Sequence, residues 1–178
     1  MARLAVLLRA VNVGGTGRLA MAEFKDLLAG LGYGEPTTLG AAGSALISTA
    51  QPPAAVETAV EATLKAQAGL STDVYVRTRA HLAKILTSNP FEAMARDQPA
   101  GLIVSFLKDD PSAGAVTAVR EKIVGPEEVA AGPGCLYIAY GDGMGRSKLT
   151  SQILDRTLGL RGTGRNWNTV GKLAALTA

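Results

Sequence analysis

The chain has 178 residues, 47% of them hydrophobic and 19% charged, with aromatics at only 4%. That balance suits a packed globular chain and argues against global disorder, and no apolar run reaches the ~18 residues a membrane-spanning helix needs. The formal net charge of +3 is modest, and single copies of cysteine (Cys135) and histidine (His81) exclude an intrachain disulfide and a zinc site of the usual Cys/His type.

Met1 to Leu8 has the apolar look of a leader peptide, but Arg9 interrupts the run. Leu4 to Arg9 therefore reads as a buried strand, and the protein is expected in the cytoplasm. The strand ends in the glycine-rich Asn12-Val13-Gly14-Gly15-Thr16-Gly17. Met21, Phe24, Leu27, Leu28 and Leu31 then share one helical face, and Gly32 terminates that helix. Short strands follow around Thr37–Leu39 and Ala45–Ser48. Pro52-Pro53 opens a second helix striped by Val56, Val60 and Leu64, which Gly69 ends. Asp73 to Val76 is the next strand, giving the order βαββαβ.

Arg79 to about Ser88 reads as a connecting helix stopped by Asn89-Pro90, with further helix over Phe91 to Arg96. The pattern then restarts. Leu102–Leu107 is a strand, Ser112–Lys122 a helix, and Glu127–Ala131 and Leu136–Tyr140 a hairpin around Gly132-Pro133-Gly134. Cys135 is expected buried there, and His81 exposed on its helix. Ser147 is placed to cap a helix striped by Leu149, Ile153, Leu154 and Leu158, and the last helix starts near Asn166. The second half is therefore βαββα plus a final helix. The expected fold is α+β, two tandem ferredoxin-like units of βαββαβ type with largely antiparallel sheets and a C-terminal helix. The first unit spans residues 1–78, a connecting helical segment 79–100, and the second unit 101–178.

The chemistry-bearing residues gather at the two ends. Gly14, Gly15 and Arg18 follow the first strand, where Arg9 and Asn12 also lie. Gly145, Arg146, Ser147 and Lys148 precede a helix, and Arg165, Asn166 and Trp167 begin the last one. Outward-turned amides beside basic side chains at a helix start suit phosphate or carboxylate. The spacing fits neither a Walker loop nor a dinucleotide fingerprint, and a capped turn explains the same residues. Arg165 and its neighbouring amides could contact a base or phosphate, while Trp167 is better placed to lock the last helix down. Paired acids Asp109-Asp110 and Glu127-Glu128 read as caps and solvated edges. A carboxylate-bound Mg²⁺ leaves weak sequence traces and stays open.

With Leu7-Leu8-Arg9-Ala10-Val11-Asn12-Val13-Gly14-Gly15, Val76-Arg77-Thr78, Asn89-Pro90-Phe91, Gly145-Arg146-Ser147-Lys148-Leu149 and Arg165-Asn166-Trp167-Asn168-Thr169-Val170, the chain resembles the bacterial domain-of-unknown-function family 1697. The resemblance implies a duplicated ferredoxin-like fold and no reaction. Similar proteins usually carry Ser-Gly-Asn after the second strand, where this chain has Ala42-Gly43-Ser44. Three readings stand open. The favoured one is a binder of a phosphate-bearing small molecule or nucleic acid. The second is a small enzyme with its substrate between the halves, for which no base or nucleophile stands out. The third is an interaction module whose bare sheet face pairs with a second copy, so monomer and homodimer both remain. No cofactor is assigned and no membrane association is expected.

Overall fold

The described residues of the computed structural model, 1–13, 17–141 and 143–178, form eight strands and seven helices. They build two compact units, Met1–Leu82 with Leu173–Ala178, and Ala83–Lys172. In the first unit β1 (Ala2–Leu8), α1 (Met21–Gly30), β2 (Gly34–Leu39), β3 (Ser44–Thr49), α2 (Pro53–Ala68) and β4 (Val74–Thr78) follow in order, then α3 (Arg79–Thr87). The sheet runs β2-β3-β1-β4 with every pair antiparallel, the ferredoxin-like arrangement.

Leu4, Val6 and Leu8 alternate onto the face where Phe24, Leu27 and Leu28 of α1 meet Val56, Val60 and Leu64 of α2. That shared burial makes these two sequence-legible stripes one core. Edge strand β4 is protected on its outer side by α2. Glu61 accepts from the Val74 N–H and Glu57 from the Val76 N–H, both at 2.9 Å, so donors that would template another strand are satisfied.

The second unit repeats this plan. After α4 (Glu92–Asp97) come β5 (Leu102–Leu107), α5 (Ala113–Lys122), β6 (Glu128–Gly132), β7 (Cys135–Ala139), α6 (Ser151–Leu158), β8 (Gly162–Asn166) and α7 (Trp167–Leu176). The antiparallel order is β6-β7-β5-β8. Leu136, Ile138 and Tyr140 join Val116, Val119, Leu154 and Leu158 in its core.

Strand β8 corrects the sequence reading, which went straight from one helix to the next. Gly162-Thr163-Gly164 has threonine as its one strand-forming side chain, and its glycines are what allow the pairing. A Cβ on Gly162 would overlap the Ser105 hydroxyl, and one on Gly164 would sit 3.0 Å from Ile103. With β8 in place, Asp155 accepts from the Gly162 N–H at 3.1 Å, as Glu61 does from Val74.

The sheet faces turned away from these cores are not bare. Ala5, Leu7, Leu46 and Tyr75 are buried, as are Val104, Phe106, Cys135 and Tyr137, whose hydroxyl donates to the Ile85 carbonyl. His81, expected on the surface, is half-buried, and its N–H bonds the Thr78 hydroxyl that caps α3.

Candidate functional site

The sequence-derived candidates lie on three segments of the chain. The first is the loop after β1. Gly14 and Gly15 lie outside the described residues. Arg9 is half-buried, its N–H donating to the Asp73 carbonyl at 3.1 Å. Asn12 has a positive φ of 56°, a conformation asparagine tolerates better than most residues. Its amide donates to the Leu19 carbonyl (2.8 Å) and the Ala41 carbonyl (2.9 Å), and its Oδ1 accepts from the Leu19 N–H (2.9 Å). Both amide hydrogens are therefore committed to holding this loop and the Ala42-Gly43 turn together. Arg18 is exposed beside Asn12 and Glu23 on a depression of about 450 Å³.

The second place is the loop between β7 and α6, in the other unit. Met144–Arg146 forms a single 3-10 turn, with Gly145, Arg146 and Lys148 exposed. The helix begins later than expected. Thr150, not Ser147, caps α6, its hydroxyl accepting from the Ile153 N–H. Ser147 instead donates to Glu127 Oε1 (2.5 Å) and accepts from the Leu149 N–H (3.0 Å). Arg146, Ser147 and Lys148 line, with Glu127 and the Val124-Gly125-Pro126 turn, a cavity of about 300 Å³.

Glu127 is the residue that sequence reasoning missed. In the sequence it has the look of a cap or solvated strand edge, twenty positions from Ser147 and with no motif linking the two. The Ser147 hydroxyl holds its carboxyl below the ordinary range, aided by the backbone at Glu127 and Gly125. Its Oε2 is buried with no hydrogen-bond partner among the described residues. The cavity thus has two exposed cations at its rim and one ionised carboxylate in its wall. Tyr140 packs nearby and donates to the Leu149 carbonyl at 3.2 Å. Burial, then the Glu127 charge, push the Tyr140 hydroxyl up to about 12.

The third place is the β8–α7 junction. Arg165 lies opposite Val104 on β8, only 7% exposed, and donates to Thr163 Oγ1 (2.7 Å) and the Gly164 carbonyl (2.9 Å). Burial pulls its guanidinium down to about 10, which still leaves it charged at neutral pH. Asn166 caps α7 by accepting from the Thr169 N–H, and half-buried Trp167 is the first residue of that helix.

This junction is a structural repeat. In the first unit Arg77 sits at the matching place on β4, 6% exposed, and donates to the preceding carbonyl of Val76. Thr78 then caps α3 as Asn166 caps α7. A buried arginine, a capping residue and an immediate helix thus follow the last strand of both sheets, and Arg165 holds the place on β8 that Arg77 holds on β4. Neither Arg165 nor Asn166 nor Trp167 lines the cavity at Arg146 and Lys148. Among the described residues no three metal-binding side chains gather into a cluster.

The comparisons agree with this duplicated architecture. The solved structure of the conserved bacterial protein SP0830 from Streptococcus pneumoniae is similar over 99% of both chains, with a TM-score of 0.77 at 18% identity, a likeness of fold. No curated protein matches the chain. The family model described as "Protein of unknown function (DUF1697)" matches residues 1–137. That span holds Leu7–Gly15, Val76–Thr78 and Asn89–Phe91, while the motifs at Arg146 and Arg165 lie beyond it. With more than half its length matched, the chain belongs to this family of unknown function, DUF1697.

Proposed function

We propose that this protein binds a small phosphorylated metabolite at the cavity bounded by Arg146, Ser147 and Lys148. The observation that carries the reading is the convergence of two exposed cations on one concavity of about 300 Å³. Arg146 can present a planar pair of N–H donors to phosphate oxygens, and Lys148 a mobile point charge. The volume lies at the small end of ligand sites, enough for a phosphate with a compact organic part.

Two features favour a metabolite over nucleic acid. No aromatic side chain lines the cavity among the described residues, so a base would have no stacking surface. The Glu127 carboxylate also offsets part of the cationic field that a polyanion would need. A catalytic reading would make Ser147 a nucleophile with Glu127 as its proton acceptor. A carboxylate held below its ordinary range is a weak base, and this favours binding over turnover.

A thermal-shift panel of orthophosphate, hexose phosphates, nucleotides and short oligonucleotides on wild type and Arg146→Ala/Lys148→Ala tests the proposal. A ligand at ~100 times its dissociation constant adds ~2.7 kcal/mol of stability. A phosphate ester is expected to raise the wild-type midpoint and not that of the variant. No shift with any phosphate ester would reject the reading.

A further inference from the structure

A second concavity, of about 570 Å³, lies in the same unit between the short helix α4 and the sheet. The local sequence builds it. Pro90 ends the preceding helical run, and Asn89 turns the chain by accepting from the Phe91 N–H at 2.9 Å. This sets Phe91 and Met94, both half-buried, into the wall opposite Pro126 and buried Ala139. Around this mostly apolar wall stand Glu92, Asp97 and Glu128, and no basic side chain lines it among the described residues.

Each acid has an ordinary explanation taken singly. Glu92 is in the first turn of α4, Glu128 opens edge strand β6, and Asp97 forms an exposed pair with Arg96 at 3.0 Å. Neither the Glu92 nor the Glu128 carboxylate has an ion pair or side-chain hydrogen bond among the described residues. Together the three put negative charge on a concavity whose apolar floor would otherwise take a neutral guest.

The geometry points to a binding site for a small organic cation, an ammonium or guanidinium on an apolar stem of about four to six carbons. The stem lies on Phe91, Met94 and Pro126, and the cation faces Glu92 and Glu128. The volume suits a free small molecule. Pro126 lines both this concavity and the cavity at Arg146, but the assignment rests on different charged side chains and survives if the phosphate reading fails.

Ligand-observed NMR titration with hexylamine, hexanol and hexanoate at neutral pH and 150 mM salt tests it, on wild type, Glu128→Gln and Glu92→Gln/Glu128→Gln. Both glutamates are exposed, so the variants should keep the wild-type far-UV spectrum and melting midpoint. Hexylamine is expected to bind saturably, with hexanol at least tenfold weaker and hexanoate weaker still. The double variant should raise the hexylamine Kd at least tenfold, and Glu128→Gln by a smaller factor. Equal binding of hexanol, no saturable binding of hexylamine, or a Kd within twofold of wild type in the double variant would overturn the assignment.

Discussion

Replacing Gly43 with alanine is expected to destabilise the protein by about 2–4 kcal/mol, read as a lowered denaturation midpoint. Gly43 has φ +81°, where an L side chain is strained by ~1–2 kcal/mol. The added Cβ would also lie 2.6 Å from Val11 Cγ2 and 2.9 Å from Leu8 Cβ, two buried side chains that cannot both retreat. The Gly43 carbonyl accepts from the Leu8 N–H at 2.8 Å, and Asn12 bonds Ala41 two residues earlier. A shift at Gly43 therefore reaches the end of β1 and the loop carrying Arg18. A destabilisation under about 0.5 kcal/mol would show that the turn moves freely. The same geometry explains why glycine stands at the centre of the Ala42-Gly43-Ser44 turn.

Stability is expected to fall between pH 10 and 12, and Tyr140→Phe should blunt that fall. Burial holds the Tyr140 hydroxyl up to about 12 and raises Tyr137 further, so the folded state keeps protons that the unfolded chain loses near 10. A group with a raised folded pKa stabilises fully below the unfolded value, and the contribution disappears as pH rises through the folded one. Two pH units correspond to ~2.7 kcal/mol, which residual solvent screening reduces to about 1–2 kcal/mol for Tyr140. At neutral pH Tyr140→Phe costs about 1 kcal/mol through the lost bond to Leu149. The gap to wild type should then narrow or close by pH 12. Denaturant midpoints across the range, with tyrosinate absorbance, measure both. A gap that stays constant would mean Tyr140 ionises as it does in the unfolded chain.

Much of the fold was legible because burial imposes a period. Phe24, Leu27 and Leu28, and Val56, Val60 and Leu64, can share a core only at helical spacing, and the strand run Leu4–Leu8 is buried throughout. Strand β8 was not legible, because its glycines are selected by close approach to β5 and not by strand propensity. The order of the second unit thus came out one strand short. Helix caps were read to within three residues. Ser147 looked like the cap of α6, but the chain first makes the 3-10 turn and uses Thr150.

The candidate site was half visible. Arg146, Ser147 and Lys148 stand out as a glycine-flanked basic run, and they do share one cavity. Glu127 carries no such signal, since its bond to Ser147 exists only once the β6 end and the loop after β7 are side by side. Arg165 reads as a possible contact to a base or phosphate because sequence does not distinguish a surface arginine from one buried on an edge strand. Its twin, Arg77, offers the clue in retrospect. Each is followed by a short polar residue and a helix, the duplicated ending of a βαββαβ unit.

The most direct measurement on the phosphate-site proposal is a calorimetric titration of a hexose phosphate into wild type and Arg146→Ala/Lys148→Ala at several salt concentrations, beside a short DNA duplex. The proposal predicts saturable binding weakened at least tenfold in the variant, with a shallow salt dependence of about one or two phosphate contacts. Equal affinity in the two proteins, or tighter duplex binding with a steep slope of many contacts, would contradict it.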